Sequence, residues 1–163
     1  MMDSRLTLEK RIEAEIKSYD GLIGIYLDDL HGNVIAVNED EKFETASTIK
    51  TYILAALMDE VNKGNKSLED MVEFKESHMV DGSGVLCALE PGAVLRVKDV
   101  ATFMIIVSDN VATNMMIDYL GVETVNKCIE KLGFKDTVLH NPINFELYEH
   151  LGTSTPRDYA GVF

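Results

Sequence analysis

Basic side chains are scarce in this chain: 15 Lys and Arg stand against 28 Asp and Glu, which leaves a formal net charge of -13. Nucleic acid and anionic membrane are excluded as partners, because both would repel such a surface. Cysteine is scarce as well. Cys87 and Cys128 lie far apart and in no metal-ligand spacing, so they give no disulfide framework and read as two buried free thiols. His31, His78, His140 and His150 are scattered along the chain. Glu146, Glu149 and His150 fall close together, but not in the order His-Glu-x-x-His, so they read as a solvated loop; no metal and no other cofactor is assigned. The first twenty residues hold no uninterrupted apolar run, so neither a secretory signal nor a spanning segment is read there. That fits a cytoplasmic protein, or an extracytoplasmic one without its leader. Internal repeats, low-complexity tracts and linkers are missing too.

What is present is enough for a core. With 163 residues, 46% of them hydrophobic and 26% charged, the chain is about one globular domain. Leu8, Ile12, Ile16 and Tyr19 recur at helical spacing, which predicts an amphipathic helix over 6–18 with one core stripe, ended by Gly21. Two short β-branched runs, 22–27 and 34–37, flank Asp28-Asp29-Leu30-His31-Gly32-Asn33, whose residues favour a hairpin turn. The stretch 43–45 leads into a helix over 47–63, apolar on most faces through Ile49, Ile53, Leu54, Leu57, Met58 and Val61 and therefore expected to be buried nearly all round.

After Gly64-Asn65, residues 73–91 read as a long irregular region, with Asp81-Gly82-Ser83-Gly84 marking a mobile or tightly turning loop. Residues 97–107 suit a buried helix or a buried strand, and length with Lys98-Asp99 favours helix. Asp109 or Asn110 then caps a helix over 111–119; Gly121 stops it, and 122–132 forms another that ends at Gly133. The remainder reads as loop until Thr155-Pro156, an N-cap and first helical position. By content the fold is α+β, with an N-terminal helix and two-stranded antiparallel hairpin over 1–45 and a helical lobe over 46–163.

The chemistry sits in two motifs. In Ser47-Thr48-Ile49-Lys50 the Ser and Lys lie three apart, on one helix face, so the amine can hydrogen-bond the hydroxyl and take its proton. Alone, that spacing arises often, and Ser47 would serve equally as a helix N-cap beside a surface lysine. Ser108-Asp109-Asn110 is rarer and falls where one buried helix ends and the next begins; by itself it would pass for a capping turn. Together they give a nucleophile, a base and a second hydroxyl beside the base. Asp109 reads as structural, bonding backbone at the helix junction.

On these motifs the chain resembles the N-terminal part of the class A β-lactamase and penicillin-binding family, from the opening helix through Ser154-Thr155-Pro156-Arg157-Asp158. The resemblance implies a β-lactamase/transpeptidase-like fold whose C-terminal strands lie beyond these residues. It implies a serine hydrolase that forms an acyl-enzyme with a β-lactam or a related amide or ester. In that scheme Ser47 attacks, Lys50 in its neutral form takes the proton, Ser108 relays one to the leaving nitrogen and Asn110 bonds the substrate amide.

Two features depart from the pattern. Hydrolytic relatives carry Glu-x-x-Leu-Asn before the Thr-Thr-Pro-like segment, whereas this chain has Asn144-Phe145-Glu146-Leu147-Tyr148-Glu149, leaving Glu146 or Glu149 for the deacylating role. Lys-Thr-Gly, the third motif, is also absent from the 163 residues. A slowly deacylating penicillin-binding or esterase-like protein therefore fits as well as a hydrolase, and a catalytically incomplete relative stays open beside the enzyme. A two-stranded hairpin is marginal by itself, so the 22–27 strand is expected to be covered at its edge by a second chain, in a homodimer or otherwise.

Overall fold

The computed structural model describes residues 4–146 and 150–162. Six helices, seven short strands and three 3₁₀ turns are seen among them. α1 (Ser4–Lys17) comes first, then the hairpin of β1 (Ile25–Asp28) and β2 (Val34–Val37), paired antiparallel with Ile25 opposite Val37. The turn between them is knit by its carboxylates: Leu30 N–H donates to Asp28 and His31 and Asn33 N–H both donate to Asp29. The α1 stripe of Leu8, Ile12, Ile16 and Tyr19 forms a groove with Ile23 and Ile25, yet Leu8 and Tyr19 stay exposed, so this helix rests on the hairpin and adds no residue to the central core.

That core is built by four helices. α2 (Ile49–Asn62) follows a 3₁₀ turn at Ala46–Thr48, and α3 (Val97–Ile106), α4 (Asn110–Leu120) and α5 (Val122–Lys131) complete the lobe. α4, not α2, is the helix enclosed on nearly every side: Asn110 through Ile117 and Leu120 are all buried. α2 keeps a solvent stripe, with Met58 exposed and Leu54 and Val61 half-buried, because only one wide face meets α4 and α5. Full burial of a residue such as Ile53, Leu57 or Met104 contributes about 1.5–3 kcal/mol, so this cluster carries most of the fold. At the end of α3 the pattern overshoots, since Ile105, Ile106 and Val107 are exposed. Cys128 is buried in the core as expected; Cys87 is exposed, in the 3₁₀ turn Leu86–Ala88.

The segments that read as irregular contain strands too short for periodicity to reveal. β4 (Met71–Glu73) pairs with β5 (Val94–Arg96), bracketing the 73–91 region. β3 (Phe43–Glu44) pairs with β7 (Gly152–Ser154), which pairs in turn with β6 (Val138–Leu139). The β3–β7 ladder ties the segment before Ser47 to the far end of the chain. α6 (Pro156–Ala160) is capped by Thr155, whose Oγ1 accepts from Asp158 N–H, and it packs on β1. The hairpin strands pair only with each other among the described residues, leaving their outer edges open. No helix there is long and apolar enough to cross a membrane.

Candidate active site

Two non-glycine residues in the left-handed region frame the site. Ala46, at φ 43°, turns the chain from β3 into the 3₁₀ turn that presents Ser47, and Ser108, at φ 52°, bridges α3 and α4. Such backbone costs about 1–3 kcal/mol and persists only where the surroundings hold it. At Ser108 the surroundings are visible. Its twist turns both its carbonyl and its hydroxyl toward Lys50, whose Nζ donates to the carbonyl at 2.7 Å and lies 2.8 Å from the Oγ.

Lys50 is the hub. One helical turn after Ser47 and 2% exposed, it also reaches Ser47 Oγ at 3.1 Å and Asn110 Oδ1 at 3.1 Å. Ser108 Oγ donates to Ser47 Oγ at 2.9 Å, closing a triangle of two hydroxyls and one amine. Burial pushes the Lys50 ammonium down to about 8, against the nearby Asp109 carboxylate, which raises it. Four oxygens surround an ammonium with three protons. In the neutral amine, two N–H groups suffice for the Ser108 carbonyl and Asn110, and the lone pair faces a hydroxyl.

Asp109 explains why the junction keeps this shape. Fully buried, it caps α4 by accepting from Ala112 N–H through Oδ1, while Oδ2 accepts from Val85 and Leu86 N–H. The glycine-rich loop fits around it. A Cβ on Gly84 would lie 2.3 Å from the Asp109 carboxylate, and one on Gly82 would lie 2.7 Å from Asn110 Nδ2. Asn110 Nδ2 donates to the Asp81 carbonyl and Asn110 N–H to the Ser83 carbonyl, so the loop is tightly turned and pinned to α4.

Ser47 opens onto a cleft of about 890 Å³, lined on one side by Gly82, Ser83 and Asn110 and on another by Ile143, Asn144, Phe145 and Leu151. Glu44 and His150, in contact across the rim, line it as well. The structure thus brings together Ser47, Lys50, Ser108 and Asn110. Glu146 stands apart: it is exposed, its N–H donates to Asn144 Oδ1, and it is not among the cleft-lining residues. Glu149 lies outside the described residues. Among the described residues, no group of three or more His, Cys, Asp and Glu could hold a metal ion.

The motifs alone do not reveal Asn114 and Ile143. Asn114, one turn after Asn110 and 3% exposed, accepts from Ile143 N–H at 2.8 Å and donates to Ile143 O at 3.0 Å, fixing the cleft wall. Helical spacing puts Asn110 and Asn114 on one face of α4, which is the signal available in the sequence.

Comparison with known proteins finds relatives over nearly the whole chain. A family model described as the beta-lactamase enzyme family matches residues 7–163. Beta-lactamase SME-1 of Serratia marcescens is 26% identical over 153 residues, 91% of this chain and 50% of the relative. Among solved structures, PBP-A superposes with a TM-score of 0.86 at 31% identity, over 96% of this chain and 59% of that one. A mutant of PBP-A in an acyl-enzyme complex with penicillin G gives 0.84 at 30%, over 96% and 60%. The chain spans about half the length of the curated relatives it matches.

Proposed function

The chain belongs to the beta-lactamase enzyme family, with class A β-lactamases and a penicillin-binding protein as its structural neighbours, and from that premise we propose that it is a serine acyl-transfer protein that β-lactams acylate at Ser47. The single observation that carries this is the triangle of Ser47, Lys50 and Ser108, closed by contacts of 3.1, 2.8 and 2.9 Å. Ser47 Oγ gives its proton to neutral Lys50 and bonds to the lactam carbonyl carbon. As the C–N bond breaks, Ser108 passes a proton to the departing nitrogen and Lys50 restores the one Ser108 gave. Asn110, held at the cleft by Asp81 and Lys50, is positioned for the acyl amide.

Deacylation is the weaker half of the cycle. The wall facing the cleft is Ile143, 8% exposed and apolar, and the nearest described carboxylate of that loop, Glu146, stands off the lining. A long-lived adduct is the consequence, as in a penicillin-binding protein. The same apolar wall and outlying carboxylate favour a second reading, a relative that binds β-lactams without turning them over. Either way the open edge of β1 suits a second chain, and sedimentation equilibrium checks it: a monomer at all concentrations removes the partner.

Intact-mass measurement with benzylpenicillin separates the readings. A stable adduct on the parent, absent from Ser47→Ala, supports acylation, and an adduct whose lifetime is unaltered in Glu146→Gln supports the inert loop. Identical masses with and without drug, in both proteins, sink the acyl-serine assignment.

A further inference from the structure

The cleft beside Ser47 has a charge asymmetry that the acylation chemistry does not use. Among the described residues that line it, Glu44 alone is a carboxylate and none is Lys or Arg. Glu44 sits three residues before Ser47 on β3, a strand held in register by β7, and its side chain is 64% exposed at the rim. His150, on the facing segment, pairs with it and fixes its direction. Between Glu44 and Asn110 the walls carry, beside Asn144, three apolar side chains: Ile143, Leu151 and the ring of Phe145, which is 61% exposed and approaches Gly82 closely enough that a Cβ there would touch it at 3.6 Å. A large aromatic left in water at the mouth of a cleft is a surface that gains by being covered.

We infer that this cleft selects acyl groups whose side chain has an apolar, preferably aromatic, body and carries an ammonium, with Phe145, Ile143 and Leu151 receiving the body and Glu44 the cation. The inference rests on the acyl-serine assignment for the substrate's orientation, since Asn110 at the acyl amide directs the side chain into this cleft. The opposite charge is disfavoured twice, by the Glu44 carboxylate locally and by the net charge of -13 at long range.

Three amides that share one phenyl-bearing frame test it on the whole chain: phenylglycinamide with its ammonium, neutral phenylacetamide, and the anionic monoamide of phenylmalonic acid. Dissociation constants come from backbone amide shifts of Gly82, Phe145 and Leu151. The ammonium compound is expected to bind about threefold more tightly than the neutral one, the scale of an exposed ion pair, and the anion more weakly than either. In Glu44→Gln the charged and neutral amides bind alike, and in the parent the preference shrinks as salt rises to about 0.5 M. Equal binding of all three, tightest binding of the anion, no shift at the cleft, or a cation preference that survives Glu44→Gln overturns the inference. Benzylpenicillin labelling is read separately: cation preference without an adduct removes the acyl-serine assignment alone, and an adduct without cation preference removes the charge selection alone.

Discussion

Asn114 holds Ile143 by both of its backbone groups, accepting from the N–H at 2.8 Å and donating to the carbonyl at 3.0 Å, in a place where both side chains are buried. A third contact from the same amide reaches the His78 carbonyl at 3.4 Å. One side chain on the central helix therefore ties the wall of the cleft to the segment leading into the glycine-rich loop. The position of the wall is set by α4, the most enclosed element of the fold, and not by the loop's own sequence.

Replacing that amide by a methyl group strands a buried donor and a buried acceptor. Asn114→Ala is expected to cost about 2–4 kcal/mol, the sum of two unsatisfied backbone groups after partial access of water. Urea denaturation reads the loss. Hydrogen exchange at the Ile143 amide gives the local readout: its protection should fall by more than that of Ile53 or Leu57 in the core, and an equal fall everywhere would show that Asn114 supports the fold without fixing the wall.

The lowered Lys50 value makes acylation pH-dependent with a defined sign. In the proposed scheme only neutral Lys50 accepts the Ser47 proton, so the rate of adduct formation should rise about tenfold per pH unit below about 8 and level off above it. Stability follows the same group. Because Lys50 titrates near 8 when folded and near its ordinary 10.5 when unfolded, the unfolded chain binds the extra proton between those values. The burial penalty is fully present below about 8 and is relieved as pH rises toward 10.5, so this residue's contribution grows more favourable across that window. Lys50→Met should abolish the rate profile and flatten stability there; a profile with the same midpoint in that variant would mean another group is the base.

How much of this was legible follows from length and spacing. α1 is legible from its 3.6 period, α4 and α5 from the cap at Asp109 or Asn110 and the stops at Gly121 and Gly133, and α3 from its length and Lys98-Asp99. Strands of two or three residues, such as β3, β6 and β7, offer no period at all, so the β3–β7 ladder emerges only when the chain closes on itself. Ser47 and Lys50 are readable as candidates from their helical spacing, and Ser108 and Asn110 through the family resemblance that Ser-Asp-Asn carries. Ile143 was not, since an isoleucine becomes informative only once Asn114 shows where it stands. Likewise Gly82 and Gly84 read in the sequence as a mobile or tightly turning loop; the loop turns tightly, and the reason for the glycines is the lack of room beside Asn110 and Asp109.

Ser108 combines strain with a proposed role in proton transfer, and the two can be separated. At φ 52° its backbone suits glycine, while its hydroxyl bonds Lys50 and Ser47. Ser108→Gly relieves the left-handed cost and keeps the carbonyl that anchors Lys50. Stability should stay within about 1 kcal/mol of the parent, the gain offsetting the lost hydroxyl contacts. Adduct formation should fall about 10² to 10⁴-fold if the hydroxyl relays the proton. Thermal unfolding with timed mass spectrometry checks both, and an unchanged acylation rate would remove Ser108 from the chemistry.

Asp109 couples the scaffold to the base. Its two oxygens accept three N–H groups, and its charge is what raises the Lys50 value against burial. In Asp109→Asn one oxygen still caps α4 through Ala112, but an NH₂ then faces the N–H groups of Val85 and Leu86, donor against donor. Two buried donors without partners cost about 2–5 kcal/mol, a large share of a domain's stability. Loss of the negative charge also removes an influence that raises the Lys50 value, so the midpoint of the acylation profile is expected to move below about 8 even as the protein weakens. A purely structural role for Asp109 predicts the stability loss with an unmoved midpoint. Measuring the profile at low temperature, where the variant remains folded, distinguishes the two, because weakened folding scales the whole curve while a change in the field at Lys50 displaces it along the pH axis.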